Sequence, residues 1–415
     1  MMRKKILFIQ HAAGFGGSAM SLLYTLQEIN KVAGEQYSLV IALAKWNKSL
    51  SDLYEQAGFE VVKPSIIDTY EHTQAVSYNL LNPLGIIKEI KQLFNINKSI
   101  TNTEKLIQNV KPDLIHLNSV VLVGSAYAAK KQNIPLVWHV RENPVKGLFK
   151  IRYNFLKRIL EKLADKVIFI CNADKEGWGN PKNGLLVYNF VDFEKFQAKA
   201  SRPNEIDGVE IPQGDLNVLF LGGVAQIKGG LYLIQAINAL MLKYPDKNIF
   251  MLFPGGIYTQ PKYLLYAIAK RILPLIGQGT YSQKIEKEIE NSIKKRNFIK
   301  FPFVKDVAKL LAASDVLVFP SVRPHFARPI IEAGAMMKPV IGSELDGVKE
   351  LIKTNQNGFL VKPKSTSDIM KYLEILLLHS KKGKDMGKCG YEIAQEKFQA
   401  KNNILKIIET YNALT

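Results

Sequence analysis

Short, continuous apolar runs alternate with amphipathic stretches along almost the whole chain. In the first half the runs fall at 5–10, 38–44, 114–118, 136–140 and 167–171, with helical patterns such as 18–30 and 125–132 between them. In the second half they fall at 218–221, 249–253, 298–303, 316–319 and 340–341. A strand buried on both faces reads as an unbroken apolar run, and the parallel sheets that contain such strands need crossover helices between them. The pattern therefore predicts an α/β fold with parallel sheets. A polar stretch at 198–214, containing Pro and Gly, reads as a linker. A chain of 415 residues is too long for one core. The expected layout is a Rossmann-like domain over 1–197, the linker, a second such domain over 215–400, and a closing amphipathic helix at 401–415.

Most of the chemistry lies between 319 and 358. The strand at 316–319 breaks at Pro320 and Ser321 into a turn holding Arg323, His325 and Arg328. Pro329 then opens a helix predicted over 330–337, with Glu332 in its first turn, and another apolar strand and a polar loop ending at Gly347 follow. First-turn N–H groups lack intrahelical partners and the macrodipole is positive there, so such a junction attracts anions. The guanidinium groups suit bidentate contact with phosphate oxygens. Glu332 suits hydrogen bonds from sugar or ribose hydroxyls.

This segment resembles the donor-binding signature of the family-four retaining glycosyltransferases, enzymes of cell-surface polysaccharide type with the GT-B fold. Phe326, Glu332-Ala333, Pro339-Val340, Gly347-Val348 and Glu350 match its spacing; Pro324 stands in place of its first glutamate and Ala327 in place of its glycine. The resemblance implies two doubly wound domains facing across a cleft, with the last helix returning to the first domain. It also implies that Lys228, followed by Gly229, grips the donor diphosphate together with an arginine, whose position Gly223 occupies here. Arg323 or Arg328 would supply the missing cation. Preorganised cations aimed at leaving-group charge are the largest catalytic effect such a site can offer.

The loop after the first strand contains Gly14, Gly16, Gly17 and Ala19. Read as G-x-G-x-x-A it fits a dinucleotide fingerprint and hence a nicotinamide-dependent enzyme. That fingerprint also expects a carboxylate at the end of the second strand, where Ala44, Lys45 and Trp46 stand instead. The resemblance places Gly16 and Gly17 close to the donor diphosphate. His139 and Glu142 close the run at 136–140, where open α/β folds bind ligands. A lone His-x-x-Glu is too little for zinc, and by resemblance His139 orients the transferred sugar or the acceptor. His116 and Asn118 end the preceding strand. Gly255 stands where the family has a loop near the nucleobase, and 301–305 offers backbone to a base edge.

Charge sharpens the expectation about partners. The net charge of +19 favours anionic surroundings. Basic residues interleave with apolar ones over 146–166, and a more apolar stretch at 263–276 carries Lys270 and Arg271; either could lie in a membrane interface. No nucleic-acid-binding signature accompanies the charge, so no nucleic acid partner is expected. Cys171 and Cys389 form no disulfide or metal framework, which fits a reducing compartment.

The combined expectation is a metal-independent, retaining hexosyltransferase-type enzyme without cofactor, cytoplasmic and peripheral on the inner face of the cell membrane. It would move a sugar from a nucleoside-diphosphate donor, UDP in the first instance, to a lipid-linked or polysaccharide acceptor. His139, Lys228 and Glu332 would be catalytic. Gly16, Gly17, Glu142, Gly255, Arg323, His325, Phe326, Ala327 and Arg328 would bind substrate. Gly223 and Pro324 also admit a degenerate GT-B protein that binds ligand without transfer.

Overall fold

The computed structural model describes residues 3–12, 14, 16–73, 81–223, 225–254, 281–302, 304 and 306–415. The chain divides into two compact units, Met1–Phe190 with Ala400–Thr415, and Val191–Gln399.

The first unit is built on a seven-stranded sheet of β1 (Lys4–Gln10), β2 (Tyr37–Leu43), β3 (Glu60–Val62), β4 (Leu114–Asn118), β5 (Leu136–Val140), β6 (Lys166–Phe169) and β7 (Gly184–Leu186). All neighbours are parallel, in the order β3-β2-β1-β4-β5-β6-β7. Alternate residues of one strand enter opposite cores. Ile6 and Phe8 join the layer that holds the helix Gly17–Ala33, whereas Leu7 and Ile9 join the other. The last helix, Ala400–Leu414, inserts Ile404, Ile407, Ile408 and Tyr411 into the Phe8 layer. Full burial of an aliphatic side chain contributes roughly 1.5–3 kcal/mol, so this helix is integral to the first unit.

The second unit starts before its main sheet. Asp207 and Gly208 both have positive φ, +49° and +80°, and turn the antiparallel pair β8 (Glu205–Ile206) and β9 (Val209–Glu210). Asp-Gly between apolar residues is a hairpin signal, and Ile206 and Ile211 are buried. The stretch read as a linker thus folds with the second unit. Its main sheet comprises β10 (Leu216–Leu219), β11 (Ile249–Pro254), β12 (Phe298–Phe301), β13 (Val316–Phe319), β14 (Val340–Ser343) and β15 (Gly358–Val361), all parallel, in the order β12-β11-β10-β13-β14-β15. In each sheet the strand order reverses beside the first strand, between β1 and β4 and between β10 and β13. Such switch points open a crevice at the carboxyl ends of the strands.

One surface element went unread in the sequence. The helix Pro83–Val110, capped by Asn82, buries Thr103, Leu106, Ile107 and Val110 in its second half but leaves Leu84, Ile87 and Phe94 at 66, 61 and 73 % exposure in its first. The basic stretch at 146–166 resolves into the helix Ile151–Leu163, which buries Leu156, Ile159 and Leu160 and, behind them, Arg152 against Glu89 at 3.7 Å. Its core-facing side is thus occupied, while Phe149 just before it stands exposed. The stretch 263–276 lies outside the described residues, as do Gly255, Phe303 and Lys305. Among the described residues no helix is long and apolar enough to cross a membrane.

Candidate active site

In the second unit the switch point is lined by two loops. One follows β10 through Gly222 and Gly223 to a 3₁₀ turn, Gln226–Lys228, before the helix Gly230–Lys243. The other runs from β13 through Pro320 to the helix Arg328–Ala335. Ile227 O receives both Val322 N (2.9 Å) and Ser321 Oγ (3.1 Å), which fastens the loops together. The sequence marks Ser321 only as part of the strand break, because nothing local shows that its partner lies 94 residues away.

Lys228 is the chemical centre of this arrangement. Its Nζ lies 3.0 Å from His325 Nε2 and 5.4 Å above the Phe319 ring. Burial lowers its pKa, and among the described residues no carboxylate opposes the shift. An ammonium can only donate, so His325 Nε2 accepts and its Nδ1–H points to Arg323 O at 3.1 Å. His325 is held neutral to about pH 4, first by burial and then by the Lys228 charge. The result is a partly dehydrated cation resting on a neutral imidazole and an aromatic face, suited to attract an anion.

The helix Arg328–Ala335 starts two residues before its predicted start, so Glu332 falls in the second turn. Pro329 fits the first turn, but the N-cap is Ala327, which makes no side-chain cap, so no capping residue fixes the start in the sequence. Arg328 Nε donates to Glu332 Oε1 at 2.7 Å, so these two predicted ligands engage each other. Burial raises the Glu332 pKa and the arginine partly offsets this. Phe326 and Ala327 are buried, Phe326 edge-on to Phe398, so their side chains serve packing. Arg323 is exposed. Gly223, at the family's arginine position, has φ +57°, where a side chain would be strained.

The first unit gathers its polar groups at the ends of β1, β4 and β5. Asn118 Nδ2 donates to Gln10 Oε1 at 2.7 Å, and Asn118 Oδ1 receives Arg141 Nε at 2.5 Å. Buried His139 has its Nδ1 3.3 Å from His116 Nε2 and 3.4 Å from Arg141 Nη2. Glu142 instead braces the chain: Ser119 Oγ, Val120 N and Arg141 N all donate to its carboxylate. The glycine loop before Gly17–Ala33 is open, and among the described residues nothing lies within 4 Å of a Cβ built at Gly16 or Gly17. After β2, Ala44 is buried, and neither Lys45 nor Trp46 supplies the carboxylate that a nicotinamide site needs. Among the described residues no group of three His, Cys, Asp or Glu is placed to hold a metal ion.

These buried imidazoles predict acid lability. Burial and then the Arg141 charge lower His116 from 6.5 to about 3, and the same causes lower His139. Below pH 6.5 the unfolded chain takes up protons that native His116 refuses until about pH 3, so stability falls across that window. Each tenfold difference in proton affinity between the folded and unfolded ring is worth ~1.4 kcal/mol, so the loss should reach several kcal/mol. The thermal midpoint should be flat above neutrality and decline below it; a flat profile down to pH 4 would contradict neutral burial.

Known proteins share both the sequence and the fold. Residues 201–393 match the family model described as Glycosyl transferases group 1, and 82–195 match Glycosyltransferase Family 4. The chain is 23 % identical over 365 residues to the UDP-Gal:alpha-D-GlcNAc-diphosphoundecaprenol alpha-1,3-galactosyltransferase of Escherichia coli, covering 85 % of this chain and 82 % of that one. A D-inositol 3-phosphate glycosyltransferase of Corynebacterium urealyticum is 25 % identical over 206 residues, 47 % of this chain and 44 % of its own. Among solved structures, Anabaena HepE in complex with UDP and glucose superposes with a TM-score of 0.75 at 19 % identity, over 99 % of this chain and all of its own. The sucrose-phosphate synthase of Thermosynechococcus elongatus gives 0.69 at 20 % identity, over 99 % of each. The chain is therefore a glycosyltransferase of GT-B fold, with a region similar to Glycosyltransferase Family 4 followed by one similar to Glycosyl transferases group 1.

Proposed function

We propose that this protein transfers a sugar from a UDP-sugar to a lipid-linked or polysaccharide acceptor, retaining the anomeric configuration and using no metal. The carrying observation is Lys228: a half-buried cation at a switch point, held by a neutral histidine and, among the described residues, matched by no carboxylate. It would neutralise the departing diphosphate, assisted by the first-turn N–H groups of the helix Arg328–Ala335. Glu332, held by Arg328, would take ribose hydroxyls, and His139 would orient the sugar. UDP is the nucleotide bound in the HepE structures, and the E. coli relative's name specifies a UDP-sugar and a diphosphoundecaprenol acceptor.

Action at the cytoplasmic face of a membrane belongs to the same reading. The exposed Leu84, Ile87 and Phe94 alternate with Lys88 and Lys91 on one helix. Apolar insertion together with about 1 kcal/mol per basic residue near anionic lipid would hold such a surface at an interface.

Two measurements test the reading. UDP should raise the thermal midpoint more than ADP, GDP or NAD, since a ligand of the native state stabilises it by mass action. UDP should then be released from a UDP-sugar when a diphosphopolyprenyl or glycan acceptor is added. Stabilisation by UDP with no turnover of any UDP-sugar would instead favour a binding protein, the reading that Gly223 keeps open. The chain should sediment with vesicles rich in phosphatidylglycerol, less so in Phe94→Glu; indifference to lipid charge would remove the membrane part.

A further inference from the structure

Behind His139 lies a file of buried polar groups reaching into the last helix. Tyr411 Oη is 2.6 Å from His116 Nδ1, and His116 Nε2 is 3.3 Å from His139 Nδ1. The Tyr411 and His116 rings are fully buried and His139 is 3 % exposed. Beside them Arg141 Nη2 lies 3.4 Å from the same His139 Nδ1, while Arg141 Nη1 is held by Asn189 Oδ1 at 2.8 Å.

This geometry fixes the order of the protons. A guanidinium has no lone pair to offer, so His139 Nδ1 must accept. A neutral imidazole carries one hydrogen, which for His139 is then on Nε2. Because His139 Nδ1 accepts, His116 must donate from Nε2, which leaves its Nδ1 as an acceptor for the Tyr411 hydroxyl. The single lone pair of His139 Nδ1 is shared by two donors, in keeping with the length of both contacts. The opposite order would set a His139 N–H against an arginine N–H. His139 Nε2 is itself buried with no hydrogen-bond partner among the described residues.

We infer that Tyr411 and His116 are positioning residues, through which the last helix fixes the ring of His139, whose tautomer Arg141 sets, so that its Nε2–H is kept aimed to donate to an oxygen of the bound sugar. The identity of that ligand rests on the proposed function; the proton order does not. His116 also stacks on Phe8 with ring centroids 4.7 Å apart, so the relay is seated on the sheet. A helix whose residues lie at the far end of the chain, 295 positions from His116, is thereby part of the site.

Long-range ¹H–¹⁵N spectra of the histidine rings in the full chain near neutral pH read the order directly. His139 and His116 should both be protonated on Nε2. His116→Phe keeps the ring stack and cuts the relay; Arg141 still holds His139 on the Nε2–H tautomer, but the ring loses one of its two fixing contacts, so its resonances should shift and broaden. UDP-sugar turnover should then fall about tenfold, the equivalent of one lost hydrogen bond, with donor KM and stabilisation by UDP unchanged. His116→Gln, whose amide can donate, should recover part of the loss. Tyr411→Phe removes only a hydroxyl from a buried ring and repeats the test should His116→Phe not fold. Finding His139 protonated on Nδ1 in the wild type would overturn the inference, as would His139 ring resonances and turnover unmoved by these substitutions. If no donor is turned over, the spectra still decide the relay, while UDP binding judges the functional reading separately.

Discussion

Replacing Lys228 by methionine should lower UDP-sugar turnover by roughly 10²–10³-fold, the range seen when one preorganised group is removed from developing charge. Methionine keeps an unbranched stem beside Phe319, above whose ring Nζ lies at 5.4 Å, so the loss should not come from unfolding. The deficit should fall mainly on kcat. Diphosphate charge grows as the sugar departs, and an interaction that strengthens along that path stabilises the transition state more than the bound substrate. Affinity for UDP should accordingly weaken by only about tenfold, near 1.4 kcal/mol. Measured at saturating donor, an unchanged kcat with a raised KM would mean that Lys228 only binds. An unchanged kcat/KM would move the diphosphate elsewhere. Arg323→Ala and Arg328→Ala then ask whether either arginine replaces the one that Gly223 displaces. Arg328→Ala is expected to be the more disruptive, because its loss leaves the buried Glu332 carboxylate without its 2.7 Å partner.

Much of the fold was legible because its strands are buried on both faces. The runs at 114–118 and 136–140 coincide with β4 and β5, and the others lie within a few residues of observed strands. Reading failed where a signal was weak or pointed the wrong way. The short edge strands β3 and β7 pair on one side only and carry little pattern. The front of Pro83–Val110 turns apolar residues outward, so hydrophobic periodicity could not reveal what that face does. The hairpin at Asp207-Gly208 lies in a polar stretch whose composition reads as a linker, whereas its turn chemistry reads as a hairpin. In the site, Lys228 and His325 were singled out by local motif, but their 3.0 Å contact could not be read from positions 97 apart. The Tyr411–His116–His139 file was invisible for the same reason. Long-range side-chain pairing is a property of the packed fold, whereas the motifs record only what neighbours in sequence share.

Gly229→Ala should be among the most damaging single substitutions in the second unit, and it distinguishes two reasons for a glycine. Gly229 has φ +73°, and a Cβ there would lie 1.9 Å from the Pro320 carbonyl oxygen. No side-chain rotation relieves that contact, since both partners are backbone. The left-handed conformation costs a non-glycine residue roughly 1–2 kcal/mol. Prising apart the loops joined through Ile227 O should bring the total to about 3–5 kcal/mol, at the far end of what point substitutions do. At ~2–4 °C per kcal/mol for a unit of this size, the thermal midpoint should fall by about 10 °C, and stabilisation by UDP should vanish as Lys228 leaves His325. Gly17→Ala is the counterpart. Among the described residues nothing lies within 4 Å of its Cβ, and it occupies the first position of a helix. Alanine is favoured there by up to about 1 kcal/mol. Stability should hold or rise, while donor affinity falls if the diphosphate approaches that backbone. A Gly229→Ala chain that melts with the wild type would deny the close approach of the two loops. A Gly17→Ala chain that binds UDP-sugar unchanged would remove the first unit's glycine loop from donor binding.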